Sequence, residues 1–219
     1  MSDVLHASYN LADLSTGDGY KLLVSLVMPR PIAWITSVDA AGTVNAAPYS
    51  FFNLVSADPA LAAVGFSAPS DREGKDTLAN IRATGELVIN LVSEPLADAM
   101  NLTAVNAPRG TDESALAGLE LAASQQVRVP RIAAAPVSLE CRTFQIIEPS
   151  AKSTVLLAQV LQVHLRADAF TNRERLHIDP DVLQLIGRMH GGGGYCRTRD
   201  LFELDRPVWP KVTGEKSAS

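Results

Sequence analysis

Cysteine is scarce in this chain, and the usual marks of a secreted or membrane protein are absent. Only Cys141 and Cys196 occur, far apart and outside any paired motif, which argues against a disulfide framework. No stretch reaches the roughly 18 uncharged apolar residues that a membrane span needs. The first ten residues have neither the basic nor the apolar region of a signal peptide. We therefore predict a reduced, cytoplasmic protein with no membrane partner.

An excess of positive charge is also missing. The chain carries 19 Lys and Arg against 24 Asp and Glu, a net charge of −5, whereas nucleic-acid binding usually demands a basic face. Nucleotide motifs are lacking too, because Gly17-Asp18-Gly19 has no third glycine and neither Gly-Lys-Ser nor Gly-Lys-Thr occurs. The four histidines show no clear metal-ligand spacing. We predict neither a nucleic-acid partner nor a metal site.

The most informative stretch that is present runs from Arg30 to Asn53. Two apolar runs flank Asp39-Ala40-Ala41-Gly42, which predicts a β-hairpin. Because side chains alternate along a strand, one face should carry Ile32, Trp34, Thr36 and Val38, and the other Ala33, Ile35 and Ser37. Pro48 cannot donate to a strand ladder, so we expect the second strand to break or bulge there. Backbone groups freed by such a break suit a planar ligand rich in hydrogen-bonding groups.

The same stretch resembles the signature of the flavin reductase-like proteins. This is the FMN-binding split-barrel family that includes the reductase components of two-component flavin monooxygenases. The residues of the first block that match are Arg30-Pro31, Trp34, Thr36-Ser37, Gly42, Asn45, Ala47-Pro48-Tyr49-Ser50 and Phe52-Asn53. Further matches are Lys75-Asp76-Thr77 with Asn80-Ile81, and Gly187-Arg188 with Tyr195. Together the three blocks cover most of the chain.

The resemblance implies a fold, a cofactor and partners. The implied fold is mainly β, a six-stranded antiparallel Greek-key split β-barrel with a few peripheral helices. The implied cofactor is FMN, and the implied substrate is NAD(P)H, whose hydride passes to the flavin. The family is usually homodimeric, and a partner oxygenase would receive the reduced flavin. No catalytic dyad is required, because a flavin carries its own redox chemistry and the protein binds, orients and tunes it.

A second block suits the phosphate of such a cofactor. Asp76 or Thr77 is a reasonable N-cap for a helix from Asp76 to Ala83, and a helix N-terminus favours an anion. Arg72 and Lys75 lie just upstream, and Ser67 adds a hydroxyl donor. A solvated, capped surface helix is the alternative interpretation of this block.

The third block contains Arg188, the glycine run Gly191–Gly194 and Tyr195. We expect Arg188 and Tyr195 to reach the flavin or the substrate at the mouth of the site, and the glycines to form a mobile flap. A flexible loop with a basic rim is the alternative. The complete set of predicted cofactor-binding residues is Thr36, Ser37, Asn45, Ala47, Pro48, Tyr49, Ser50, Phe51, Ser67, Arg72, Lys75, Asp76, Thr77, Arg188 and Tyr195.

The remaining chain predicts a single domain over residues 1–219, with a flexible tail from about 211. Helical spacing occurs from Gly19 to Val27 and from Glu94 to Thr103, and strands are expected at 60–67, 86–92, 137–147 and 154–165. Many strands with few helices favour a closed antiparallel barrel. Two functions remain open: an NAD(P)H:flavin oxidoreductase, or a non-catalytic flavin-binding protein that carries electrons or binds a ligand.

Overall fold

The computed structural model describes residues 5–67 and 75–207. The helices are α1 (Thr16–Leu26), α2 (Asp76–Thr84), α3 (Ala97–Leu102), α4 (Glu113–Leu116) and α5 (Pro180–Leu183). The strands are β1 (Ala33–Val38), β2 (Val44–Tyr49), β3 (Phe52–Ala57), β4 (Ala60–Ser67), β5 (Glu86–Leu91), β6 (Leu121–Ala122), β7 (Arg131–Ile132), β8 (Val137–Ser150), β9 (Ser153–Leu165), β10 (Phe170–Asn172), β11 (His177–Ile178), β12 (Ile186–Arg188) and β13 (Tyr195–Arg197). Within the described ranges, no helix is long and apolar enough to cross a membrane.

Seven strands form one antiparallel sheet in the order β2-β1-β5-β8-β9-β4-β3. The resemblance implies six strands; the structure has seven in this sheet because residues 52–57 add β3. The consecutive strands β2 and β3 lie at opposite edges of the sheet. The chain links the two edges directly, and the Gly65 N–H of β4 donates to the Phe51 carbonyl at 2.7 Å. The sheet therefore curls on itself, while no pairing between β2 and β3 occurs in the described residues.

The β1–β2 hairpin forms as predicted. Its turn is closed by the Asp39 carboxylate, which accepts the N–H groups of Ala41 and Thr43 at 2.8 Å each. Gly42 adopts a φ of +87°, which favours glycine. The predicted alternation is also confirmed: Ala33 and Ile35 belong to one buried cluster, and Ile32 and Trp34 to another.

The expected break at Pro48 is wrong. Pro48 lies inside β2 opposite Trp34, and the β1–β2 register runs without a shift from Ala33↔Tyr49 to Val38↔Val44. The physical reason is the position of β2 at the sheet edge, where a residue without an N–H can turn that side away from the ladder. The strand ends one residue after Pro48, at Tyr49.

Helix α2 covers the buried face of the sheet. Leu78 and Ile81 pack into the cluster that contains Ala33 and Ile35. The helix ends at Gly85, whose φ of +71° and N–H bond to the Ile81 carbonyl make a left-handed C-cap. The packing of α2 places its N-terminus beside β2, where the candidate site lies.

Candidate functional site

A buried polar network joins β1, β2, α2 and α4. The Asn45 amide oxygen accepts the Thr77 hydroxyl at 2.6 Å and the Ser37 hydroxyl at 3.4 Å. The Asn45 amide nitrogen donates to the Glu113 carboxylate at 2.8 Å, and Asn80 donates to Ser37 at 3.1 Å. Three predicted site residues, Ser37, Asn45 and Thr77, therefore meet, but their side chains bind one another. Their role is to fix the hairpin against the start of α2.

Glu113 carries the charge of this network. Burial raises the pKa of its carboxyl group and the nearby Asp76 raises it further, while hydrogen bonds from its own N–H, the Asn45 amide and the Ala46 N–H oppose the shift. The Ala46 N–H belongs to the edge strand β2, so the carboxylate also occupies part of that free edge. Glu113 is not among the predicted site residues, because it lies 68 residues from Asn45 in the chain and no local motif marks it.

The N-terminus of α2 has the properties of an anion site. Its N-cap, Lys75, provides no side-chain capping bond, so the first N–H groups of the helix are not satisfied by a cap side chain. Lys75 is half-buried and forms no ion pair with any residue in 5–67 or 75–207. The neighbouring Asp76 carboxylate is paired with Arg109 at 2.9 Å. Thr77 turns its hydroxyl inward to Asn45, which leaves only its backbone for an anion.

Two further members of the predicted phosphate site lie on the segment before α2. Ser67 ends β4 and is exposed. Arg72 lies in 68–74, outside the described residues.

The segment from Ala47 to Phe51 forms the end of the edge strand and the crossing to β3. Tyr49 packs edge-on against Phe66, with ring centroids 4.6 Å apart. A Cβ added to Gly65 would lie 3.0 Å from the Phe51 Cβ, so a side chain at this position would push against Phe51. Ala47, Pro48 and Ser50 are half-buried, and the Phe51 side chain is exposed near Tyr20. Because no strand of the described residues pairs with the outer side of β2, its backbone edge lies open beside these residues.

Thr36 lies away from the other predicted site residues. Its hydroxyl donates to the Pro130 carbonyl at 2.7 Å and accepts from Asn90 at 3.4 Å, on the opposite face of β1 from Ser37. Trp34, on the same face as Thr36, is fully buried and donates to Thr103 at 2.9 Å. Both residues therefore serve the core and hold loops against it.

The hairpin of β12 and β13 approaches the same site through Arg30. Arg188 and Tyr195 are opposite each other, and the guanidinium carbon of Arg188 lies 4.7 Å from the Tyr195 ring centroid. Arg30 exchanges two backbone hydrogen bonds with Arg188 and donates from its side chain to Ser50 at 3.4 Å. Sequence reasoning noted Arg30 as a motif residue but gave it no role, because its partners are distant along the chain.

These features fit an anionic, planar cofactor. The uncapped helix start and Lys75 offer positive potential for a phosphate, and the free edge of β2 offers backbone donors and acceptors for a ring. The backbone groups and Lys75 are available to such a cofactor. The side chains of Ser37, Asn45 and Thr77 contribute less, because they are already hydrogen-bonded to other protein groups.

Comparison with known proteins gives a consistent result. Residues 25–192 match the family model of the flavin reductase like domain. A Deinococcus radiodurans protein of uncharacterised activity is 42% identical over 205 residues, which cover 92% of this chain and 90% of that protein. Pseudomonas fluorescens 2-nitrobenzoate 2-nitroreductase NbaA has a similar structure, with 33% identity, a TM-score of 0.84 and coverage of 93% and 98%.

Nitrilotriacetate monooxygenase component B from Bacillus cereus has 31% identity, a TM-score of 0.85 and coverage of 92% of this chain and 100% of that one. The large antiparallel sheet with few helices matches the split-barrel fold of flavin reductases.

Proposed function

The chain belongs to the flavin reductase-like family, and from this we propose that it is a flavin oxidoreductase that binds FMN and receives hydride from NAD(P)H. The single observation that supports FMN as the cofactor is the start of α2, where the Lys75 side chain makes no capping bond and, among residues 5–67 and 75–207, forms no ion pair. A charge-assisted bond from Lys75 would favour a flavin that carries a phosphate.

The residues of the chain bind and orient; the flavin, when bound, supplies the hydride-accepting chemistry. Lys75 and the first N–H groups of α2 would hold the phosphate. The network of Ser37, Asn45, Thr77 and Glu113 keeps that helix start fixed relative to β2. The edge backbone from Ala47 to Phe51 would meet the ring, with Arg188 and Tyr195 at the mouth.

We further propose a homodimer that acts in the cytoplasm and supplies reduced flavin to a partner oxygenase. The name of the Bacillus cereus protein, component B of a monooxygenase, supports such a partner. Large apolar side chains exposed on α1 and β3 support burial against a second copy.

The test is steady-state oxidation of NADH and of NADPH by the purified protein, with and without added FMN. We expect oxidation to depend on FMN and to exceed the rate of FMN alone by orders of magnitude. FMN binding without any NADH or NADPH oxidation would instead support a non-catalytic electron carrier.

A second candidate is reduction of a nitroaromatic acid by the flavin-loaded protein. The name of NbaA supports it, because that protein is a 2-nitrobenzoate 2-nitroreductase at 33% identity. The observation in this chain that favours it is the Arg188 guanidinium, which has no ion pair among the described residues and could receive a carboxylate. Reduction of 2-nitrobenzoate in the presence of NAD(P)H is the discriminating assay.

A further inference from the structure

Two arginines lie side by side where the β12–β13 hairpin meets the segment before β1. The Arg30 N–H donates to the Arg188 carbonyl at 3.0 Å, and the Arg188 N–H donates to the Arg30 carbonyl at 2.8 Å. Directly opposed residues of an antiparallel pair present their side chains on the same face. Tyr195 is opposite Arg188 in the hairpin, so Arg30, Arg188 and Tyr195 form one row across β12, β13 and the segment before β1.

The two guanidinium groups have different surroundings. Arg30 is only 7% exposed, and its donors meet the carbonyls of Val24 at 2.7 Å, Val27 at 2.8 Å and Met189 at 3.1 Å, besides the Ser50 hydroxyl. Arg188 is half-buried and lies against Tyr195, with no hydrogen bond from its guanidinium to any residue of the described ranges. Arg30 is thus a fixed charge, and Arg188 is a charge with its donors available.

Neither arginine is neutralised by a carboxylate of the described residues. By contrast, two other arginines close to Tyr195 in the chain are neutralised, because Arg197 and Arg199 both pair with Glu94. Taking a cation out of water without a counter-ion is unfavourable, and two adjacent cations add repulsion. A ligand that brings negative charge to this row would relieve both costs.

The row is held close to the proposed flavin site. A Cβ added to Gly187 would lie 2.9 Å from the Pro29 Cβ, so the hairpin packs tightly on the segment that precedes β1. The Arg30 side chain joins this packing to Ser50, at the end of the edge strand. Arg188 and Tyr195 therefore border the entrance to the backbone that would meet the ring.

We propose that Arg30, Arg188 and Tyr195 form a recognition site for an oxyanion of the small molecule that exchanges electrons with the flavin. This inference rests on the proposed function and names a chemical property of its substrate. Arg188 makes the bidentate contact with the oxyanion, and Arg30 adds fixed positive potential. The oxyanion is either the diphosphate of a nicotinamide dinucleotide or the carboxylate of an aromatic acid.

The test measures binding by isothermal titration calorimetry, without turnover, on the protein with and without added FMN. The probes are NAD⁺ against nicotinamide riboside, which lacks the diphosphate and the adenosine, and 2-nitrobenzoate against 2-nitrobenzamide, which lacks the carboxylate. The variants are Arg188→Gln and Arg188→Lys. Arg199→Gln is the matched control, because it removes a cation of the same segment that is already paired with Glu94.

We expect Arg188→Gln to weaken the binding of one oxyanion-bearing probe by about tenfold or more and the binding of its partner without the oxyanion by less than about twofold. Arg188→Lys should recover part of the lost affinity, and the Arg199→Gln variant should bind all probes as the wild type does. The probe that responds identifies the source of the oxyanion. Equal losses for probes with and without the oxyanion, no loss for either oxyanion-bearing probe, or no wild-type binding of NAD⁺ and 2-nitrobenzoate would each overturn the proposal. A failure to bind FMN would count separately, against the proposed function.

Discussion

Lys75 is the residue on which the proposed selection of a phosphate-bearing flavin depends. It is half-buried at the N-cap of α2 and forms no ion pair with a described residue. We predict that Lys75→Ala weakens FMN binding by about 1.5–3 kcal/mol, the value of a charge-assisted hydrogen bond, and barely affects riboflavin, which lacks the phosphate. Fluorescence titration with both flavins measures the difference.

The control for that prediction is Lys152→Ala, which removes the same charge from the β8–β9 turn. This variant should bind FMN and riboflavin with unchanged affinity. The double variant Arg72→Ala/Lys75→Ala should lose more FMN affinity than Lys75→Ala, as the sequence predicts for Arg72. Equal losses of FMN and riboflavin in the Lys75 variants would show that Lys75 does not contact the phosphate.

Two buried glutamates should respond to pH in opposite directions. Burial raises the pKa of Glu113 above its ordinary value of 4.5. Burial also raises the pKa of Glu140, but bonds from His164 and from the N–H groups of Gln125, Gln126 and Val127 outweigh it and lower the pKa below 4.5. A raised folded-state pKa gives stability that is lost as pH rises, and a lowered one gives stability that is lost as pH falls.

We therefore predict that Glu140→Gln lowers the free energy of unfolding by more at pH 7 than at pH 4. Glu113→Gln should lower the free energy of unfolding by less at pH 7 than at pH 4. Urea unfolding of each variant and the wild type at both pH values measures these differences. Parallel pH dependence of the two variants would contradict the assigned environments.

The sequence groups some of the candidate residues that meet in the structure, but not their partners. Asn45, Thr77 and Ser37 are predicted together from one motif and one helix start, and the structure brings them into one network. The contacts of Glu113 and Arg30 were not predicted, because they join positions far apart in the chain. Thr36 was grouped with Ser37 by adjacency, although neighbouring strand residues face opposite sides.

At the level of secondary-structure elements, the glycine run between β12 and β13 has two parts that differ in the space they leave for a side chain. A Cβ on Gly194 would lie 2.8 Å from the His190 ring, whereas one on Gly193 would meet nothing within 4 Å. For a loop that gates access, we predict that Gly192→Ala/Gly193→Ala leaves FMN affinity nearly unchanged and alters the NAD(P)H turnover or Michaelis constant.

Gly194→Ala is the informative comparison for that variant, since it must displace His190. It should perturb turnover more than the double variant does. Loss of FMN binding together with turnover in the Gly192/Gly193 variant would place the loop in the cofactor cradle. No change in either would make it a surface loop.

The elements that were predicted well are those with strong local signals. The end of α2 at Gly85, the turn from Asp39 to Gly42 and the long strands β8 and β9 all follow from periodicity and turn residues. The short pairs β6–β7, β10–β11 and β12–β13 were not predicted, because strands of two or three residues form through tertiary contacts. The Pro48 error has the same origin, since edge position depends on the whole sheet.

At the scale of the whole molecule, exposed apolar side chains bear on the homodimer. Leu26 is 67% exposed on α1, and Leu54 and Val55 of β3 are 61% and 54% exposed. We predict that light scattering at micromolar concentration gives twice the chain mass of 23.3 kDa. Leu54→Lys, which places a charge in that surface, should shift the mass toward the monomer. A monomer mass for the wild-type protein would refute the homodimer.

The overall fold was predictable mainly through family resemblance. Composition and periodicity alone gave a strand-rich domain, and the resemblance supplied the split barrel, which the comparisons support. The strand count differs because β3 has exposed residues along both faces and so lacks the apolar alternation that marks a strand. The predicted tail from about 211 lies outside the described residues.

The central claim is that the chain binds FMN through its phosphate. The most direct measurement is a fluorescence titration of FMN with the purified wild-type protein, with riboflavin titrated in parallel. We expect saturable quenching of FMN fluorescence at micromolar protein and weaker binding of riboflavin. An unchanged FMN signal from a flavin-free preparation, or equal affinity for FMN and riboflavin, would contradict it.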